Sequence, residues 1–142
     1  MSNKINRQIV LASRPSGKPQ PDDFSLVDAS VPVPEEGQVL CKTIYLSLDP
    51  YMRGRMNDSK SYADPVKINE VMTGGTVGQV LKSRSTNFQQ GDIVYGYGGW
   101  QDYWASEGKA LRKIDLGLAP ISTAPGVLGM PGVPAYTGLL NI

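Results

Sequence analysis

The chain contains no histidine and a single cysteine, Cys41. The missing histidine excludes a Ser-His-Asp or Cys-His nucleophile built from this chain. The two shortages together exclude a zinc site made of His and Cys ligands. One cysteine also forbids an internal disulfide. Cys41 lies in an apolar run, which marks it as a small buried hydrophobe rather than a reactive thiol. An excess of one charge is lacking as well. The net charge is +1 and the Lys and Arg residues are scattered, so no basic stripe points to nucleic acid. No apolar run approaches the ~20 residues needed to span a bilayer. Met1 to Arg7 is polar and lacks the apolar core of a signal peptide. The expected compartment is cytoplasmic, with neither membrane nor nucleic acid as partner.

What is present suits one folded domain. The chain has 142 residues, 40% hydrophobic and 19% charged, outside the range of disordered chains. Short alternating segments separated by glycine- and proline-rich turns read as strands. They are Gln8 to Ser13, Asp23 to Val31, Val39 to Leu48, Val71 to Lys82, Ile93 to Tyr97, Trp100 to Ala105 and Ala110 to Ile114. Gly98-Gly99 reads as the tight turn of a hairpin joining the fifth and sixth. Gly74, Gly75 and Gly78 suggest bulges or close backbone approach. Asn57 to Asn69 is a polar, irregular loop, long enough to suggest a function. With no long amphipathic helix, the pattern indicates an all-β barrel or sandwich. Val133 to Ile142 differs. It is small and apolar, with Ala135, Leu139 and Ile142 on one helical face, and it has nowhere to dock in this chain. It stops on Asn141-Ile142 without a C-cap signal, which reads as a longer protein cut.

The chain is organised around Tyr45 to Met56 (YLSLDPYMRGRM). On the strand leading into it, Val39, Cys41, Thr43, Tyr45 and Ser47 share one face, and Leu40, Ile44, Leu46 and Leu48 form a greasier one. Pro50 then ends the ladder. Asp49 is expected as N-cap, with Pro50 at the first helical position. The turn would throw Tyr51, Met52 and Arg53 off a rigid edge, as the wall of a binding site. The plainer reading is that Tyr51 and Met52 are core and Arg53 is solvated.

Four stretches carry a family resemblance: Leu11-Ala12-Ser13-Arg14-Pro15, Tyr45 to Met56, Tyr95 to Tyr103, and Gly129-Met130-Pro131-Gly132 with Ala135-Tyr136. They resemble the N-terminal part of the zinc-independent medium-chain dehydrogenase/reductases. The similar branch holds the prostaglandin/leukotriene and NADPH-dependent curcumin reductases, which reduce the alkene of α,β-unsaturated carbonyls. The resemblance implies a mainly β fold, a GroES-like partly open β-barrel with short helices. Residues 1–125 would be the substrate domain. Residues 126–142 would be a crossover segment and the start of a helix leading to a Rossmann domain. That domain is absent: no Gly-x-Gly-x-x-Gly occurs, and Gly74-Gly75-Thr76-Val77-Gly78 has neither the spacing nor a following helix. NADPH would be held mainly by the absent domain, no zinc would be used, and the full-length protein would pair as a homodimer.

The same resemblance turns Asp49, Pro50, Tyr51, Met52 and Arg53 towards the cofactor cleft and brings Met130 near the nicotinamide. Tyr51, Tyr62 on the polar loop, and Tyr97 with Trp100 at the hairpin tip would line the pocket for an enone or quinone. Packing is the alternative role for each of these aromatics. Relatives commonly carry a threonine where this chain has Pro134, which removes a hydroxyl and an N–H there. No catalytic acid is assigned. Two other functions fit the residues: a non-catalytic GroES-like interaction module, and a small-ligand binder without chemistry.

Overall fold

A computed structural model describes residues 4–141. Ile142, expected on the face of the last helix, and Met1 to Asn3 of the polar N-terminus lie outside the described residues.

The order is β1 (Ile5–Leu11), β2 (Phe24–Ser30), β3 (Gln38–Leu46), α1 (Tyr51–Arg55), β4 (Thr76–Ser83), β5 (Ile93–Gly96), β6 (Tyr103–Glu107), β7 (Arg112–Lys113) and α2 (Gly132–Asn141), with three short 3₁₀ turns between. β1 and β2 form an antiparallel pair; the other five strands form a sheet in the order β6-β3-β4-β5-β7. Isolated bridges Gln8↔Gln101 and Val10↔Val71 tie β1 to the larger structure. The result is two open sheets wrapped around shared cores, the mainly β, partly open barrel that the resemblance implies.

The alternating segments become strands because their apolar faces meet three interior clusters. Leu11, Met52, Met56, Val66 and Met72 form one, flanked by Phe24, Tyr51 and Trp100. Val39, Cys41, Val80, Val94 and Trp104 form the second. Val77, Ile114 and Ala124 form the third. Cys41 is fully buried, and burial pushes its thiol up to about 12, as suits an inert hydrophobe.

Three local expectations are corrected. The central strand ends at Leu46 rather than Leu48, which is 71% exposed. Its faces also do not persist. Register shifts between Leu40 and Cys41, and between Thr43 and Tyr45, break the alternation. Val39 and Cys41 are therefore buried, while Tyr45 is 44% exposed.

The expected hairpin does not form. β5 pairs with β4 and β7, whereas β6 pairs with β3 on the far side of the sheet. A two-residue type I′ turn needs positive φ at both central residues, and of the glycine pair only Gly99 has it, at 73°. Gly98 instead lies flat on Trp104, where a Cβ would come within 2.5 Å of the indole. Residues 97–102 thus carry the chain from β5, inside the sheet, across to the edge strand β6.

Finally, Asp49 does not cap α1. No side-chain cap bond is made and the N-cap position falls on Pro50, whose φ of −56° already lies in the helical region. Asp49 contributes its carbonyl, which accepts from the Met52 N–H at 3.1 Å.

The predicted close approach of the glycines is found. A Cβ on Gly74 would come within 2.8 Å of Leu46 Cδ1, and one on Gly75 within 2.3 Å of the Tyr95 hydroxyl. α2 forms where the apolar C-terminal pattern predicts it, and none of its described side chains is buried.

Candidate functional site

α1 is a single turn of five residues, too short to persist by propensity alone. Packing fixes it. Met52 and Met56 point inward at 4% and 5% exposure, and burying one such side chain contributes about 1.5–3 kcal/mol. Met52 therefore supports the wall from behind instead of lining a cleft. Arg53 is also committed within the chain. Its Nε donates to the Gly17 carbonyl at 3.0 Å and its Nη2 to the Pro15 carbonyl at 3.1 Å, and its Nη1 bonds Asn57. Pro50 is exposed and Asp49 half-buried at the lip of this turn.

Tyr51 is half-buried against the first cluster, and its hydroxyl is buried without a hydrogen-bond partner. Burial raises its pKa above the ordinary 10.0; nearby Tyr97, Asp49 and Tyr95 add to the rise and Arg55 opposes it. Arg55 Nε is likewise buried and unpaired. Only four buried side-chain polar atoms among the described residues lack a partner, and two of them sit on this one turn. Such groups are rare in native structures because each costs the desolvation of its polar atom.

Tyr95 completes the cluster. Its ring meets Tyr97 edge-on at 6.1 Å between centroids, and the Arg112 guanidinium stands 5.5 Å from its ring centre. Burial is the largest cause of its raised pKa, followed by Tyr97 and Asp49. Tyr95 lies inside a strand, where the alternating pattern by itself marks only packing. The glycine at position 75, which leaves room for its hydroxyl, is the signal that marks it.

The other expected site residues lie apart in character. Tyr97 is 67% exposed and close to Tyr51 and Tyr95. Trp100 stacks on Phe24 at 5.5 Å in the first cluster, with its Nε1 buried and unpaired. It lines a hollow of about 300 Å³ with Leu26, Leu46 and the Arg7–Asp102 ion pair. Tyr62 is 83% exposed on its loop and Met130 is 44% exposed before α2. A second hollow, of about 510 Å³, opens beside Ile93 and Ile114 and includes none of the tyrosines.

The arrangement offers hydrogen-bond donors, Tyr51 Oη and Arg55 Nε, on a rigid turn beside aromatic walls. It can hold a polar acceptor against an apolar surface.

Comparison with known proteins agrees with this architecture. Residues 7–114 match the family model described as the N-terminal domain of oxidoreductase. The chain is 56% identical over 137 residues to the NADPH-dependent curcumin reductase of Escherichia coli (strain K12), covering 96% of this chain and 40% of that protein. It is 36% identical over 129 residues to prostaglandin reductase 1 of Bos taurus, covering 89% and 37%. The crystal structure of CurA in complex with NADPH from Vibrio vulnificus superposes with a TM-score of 0.86 at 54% identity, over 96% of this chain and 40% of that one. The chain thus spans about 40% of the length of the curated relatives it matches. With 108 consecutive residues inside the family model (114 − 7 + 1) and this likeness in sequence and fold, the chain belongs to the oxidoreductase N-terminal domains of the medium-chain reductases, in the branch of the curcumin and prostaglandin reductases.

Proposed function

We propose that this chain is the substrate domain of an NADPH-dependent oxidoreductase that reduces the C=C bond of α,β-unsaturated carbonyls. The observation that carries the reading is the unpaired, buried hydroxyl of Tyr51, with Arg55 Nε also buried and unpaired on the same turn. A buried donor with no partner inside the chain fits a site whose acceptor comes from outside it.

NADPH, which a Rossmann domain outside this chain would mainly hold, would supply the hydride for the β-carbon of the enone, with a proton from solvent adding to the α-carbon afterwards. As the hydride adds, negative charge builds on the carbonyl oxygen. Tyr51 donates a hydrogen bond to the ligand at this point; a tyrosine is protonated at neutral pH in any case, and burial shifts this one further the same way. One well-aimed donor contributes on the order of 10²–10³ in rate. The chain has no histidine, and its one cysteine is buried with its thiol pushed up to about 12. Polarisation of the carbonyl therefore falls to hydroxyl and guanidinium donors rather than to zinc held by this chain. Asp49 and Pro50 border the nicotinamide end of the rim; Tyr97 and Trp100 supply flat walls. Arg53, engaged by three bonds, positions the turn.

The domain boundary falls near residue 125. Ala124, at 3% exposure, is the last buried residue of the described chain. Beyond it Val133, Tyr136, Leu139 and Leu140 on α2 are all more than 60% exposed, an apolar surface suited to a following domain. The complete reductase would pair as a homodimer and work in the cytoplasm.

The test follows NADPH oxidation with simple and aryl-substituted enones. The complete reductase is expected to turn over, and residues 1–142 alone to show no turnover and very weak NADPH binding. Turnover by the 142-residue chain alone would overturn the division of labour; failure of the complete protein on every enone would overturn the activity.

A further inference from the structure

Two arginines lock α1 to the turn before β2, each reaching backbone carbonyls outside its own segment. Arg53, on α1, reaches to the Pro15 and Gly17 carbonyls. Arg14, on that turn, reaches the opposite way: its Nη1 donates to the Met56 carbonyl at 2.8 Å and to the Val66 carbonyl at 2.7 Å. Its Nη2 stands 3.9 Å from Asp58. A single nitrogen therefore joins the two ends of segment 57–65. The Val66 N–H adds a second tie, to the Arg55 carbonyl at 2.8 Å, and the Val66 side chain is anchored in the first core cluster. Between these ties the chain makes no regular structure and is exposed throughout except at Ala63 and Pro65. This is the anatomy of an Ω-loop, closed at its neck and free at its tip. The neck is α1 itself, the turn that carries Tyr51; the free part carries Tyr62.

We propose that Arg14 is a positioning residue: it fixes the 57–65 loop relative to the Tyr51 rim, so that Tyr62 packs on the far part of bulky, aryl-bearing substrates. This deepens the enone-reductase reading and rests on it. A planar guanidinium suits the task, since it presents several donors in a fixed fork. A small alkenal reaches only the rim and does not meet the loop. A diaryl enone extends beyond the rim and gains from the ordered loop. Loosening the neck should thus raise KM for the large substrate and leave the small one nearly untouched, because ordering the loop would then be charged to binding.

The experiment uses the complete reductase with a short straight-chain 2-alkenal and a diaryl enone, in wild type, Arg14→Gln, Arg14→Lys and Tyr62→Ala. Arg14→Gln is expected to raise KM for the diaryl enone roughly tenfold, the scale of one charge-assisted hydrogen bond. KM for the alkenal and kcat for both should stay within about twofold. Tyr62→Ala should raise KM for the diaryl enone as well, and Arg14→Lys should recover part of the loss. Trypsin should cut after Lys60 faster in Arg14→Gln than in wild type. Equal losses on both substrates, a loss confined to kcat, or an unchanged diaryl KM in Tyr62→Ala would overturn the proposal. If Arg14→Gln fails to fold, the Arg14→Lys and Tyr62→Ala variants decide it. If wild type reduces neither substrate, the enone reading itself falls, a result distinct from an active wild type with no split between substrates.

Discussion

Replacing Asn6 by alanine should open the seam between the two sheets. Asn6 is fully buried and acts as a missing strand residue. Its Oδ1 accepts from the Tyr103 N–H at 2.8 Å, and its Nδ2 donates to the Tyr103 carbonyl at 2.8 Å and to Gln101 Oε1 at 3.1 Å. Gln101 also accepts from Gln8 and donates to the Gly98 carbonyl at 2.7 Å, so the seam continues into the crossover that carries Tyr97 and Trp100. Alanine leaves both Tyr103 backbone groups unpaired. Gln101 Oε1 keeps the Gln8 bond, so its loss is small. Two orphaned backbone groups at about 1–3 kcal/mol each give an expected destabilisation of about 2–6 kcal/mol. Urea unfolding followed by tryptophan fluorescence reads it, since Trp104 is 3% exposed on the strand that contains Tyr103. Asn6→Asp adds a sign test. The carboxylate keeps the acceptor but meets the Tyr103 carbonyl, so burial should raise its folded pKa above the unfolded value of about 3.9. Its deficit should therefore be smaller at acid pH, where it is protonated and can donate, and grow as pH rises through the folded pKa. A cost below about 0.5 kcal/mol for Asn6→Ala, within the range of an ordinary surface substitution, would refute the seam.

Other outcomes follow from packing and titration. Gly98→Ala forces a methyl onto the buried Trp104 indole and should cost about 1–3 kcal/mol in the same urea assay. At high pH, Cys41, Tyr51 and Tyr95 all have folded pKa values above their ordinary ones. The folded state holds these protons more tightly, so stability is intact below the ordinary values and falls as pH climbs through the folded ones. Cys41→Ala should flatten that fall between 9.0 and about 12, as read by unfolding midpoints along a pH series. Asp92 behaves in the opposite sense. The Lys113 ammonium, bonded at 2.7 Å, and then the Gln89 N–H hold its carboxyl below 3.8. Its contribution is present above that value and disappears as pH falls through the folded pKa, so Asp92→Asn should lose part of the acid dependence of stability.

The fold was legible wherever alternation and local chemistry agreed. The apolar periods located the strands, and the run of small apolar residues after Pro131 located α2. Gly74 and Gly75 announced close contacts before their partners were known. The hairpin was misread because a glycine pair flanked by alternating residues has the same local pattern whether it turns back or crosses over. What decides is the Trp104 indole, which packs on Gly98 and Gly96 and lies between β5 and β6. The α1 turn was legible from Asp49-Pro50-Tyr51 through its chain stiffness, though the capping carboxylate was not. Met52 and Arg53 were expected towards the cofactor cleft, yet Met52 is buried and Arg53 is bonded within the chain; core and cleft differ only in which side of a one-turn helix faces the barrel. The Arg14 and Arg53 clamps join residues more than 35 positions apart, and no local pattern records such a pair.

Tyr51→Phe in the complete reductase probes the rim itself. The hydroxyl makes no hydrogen bond within the chain, so its removal should leave the unfolding midpoint unchanged or raise it. Enone turnover should nevertheless fall on the order of 10²–10³. Wild-type turnover in this variant, or a loss of stability of the size expected for breaking a bonded buried tyrosine, would contradict the role given to Tyr51.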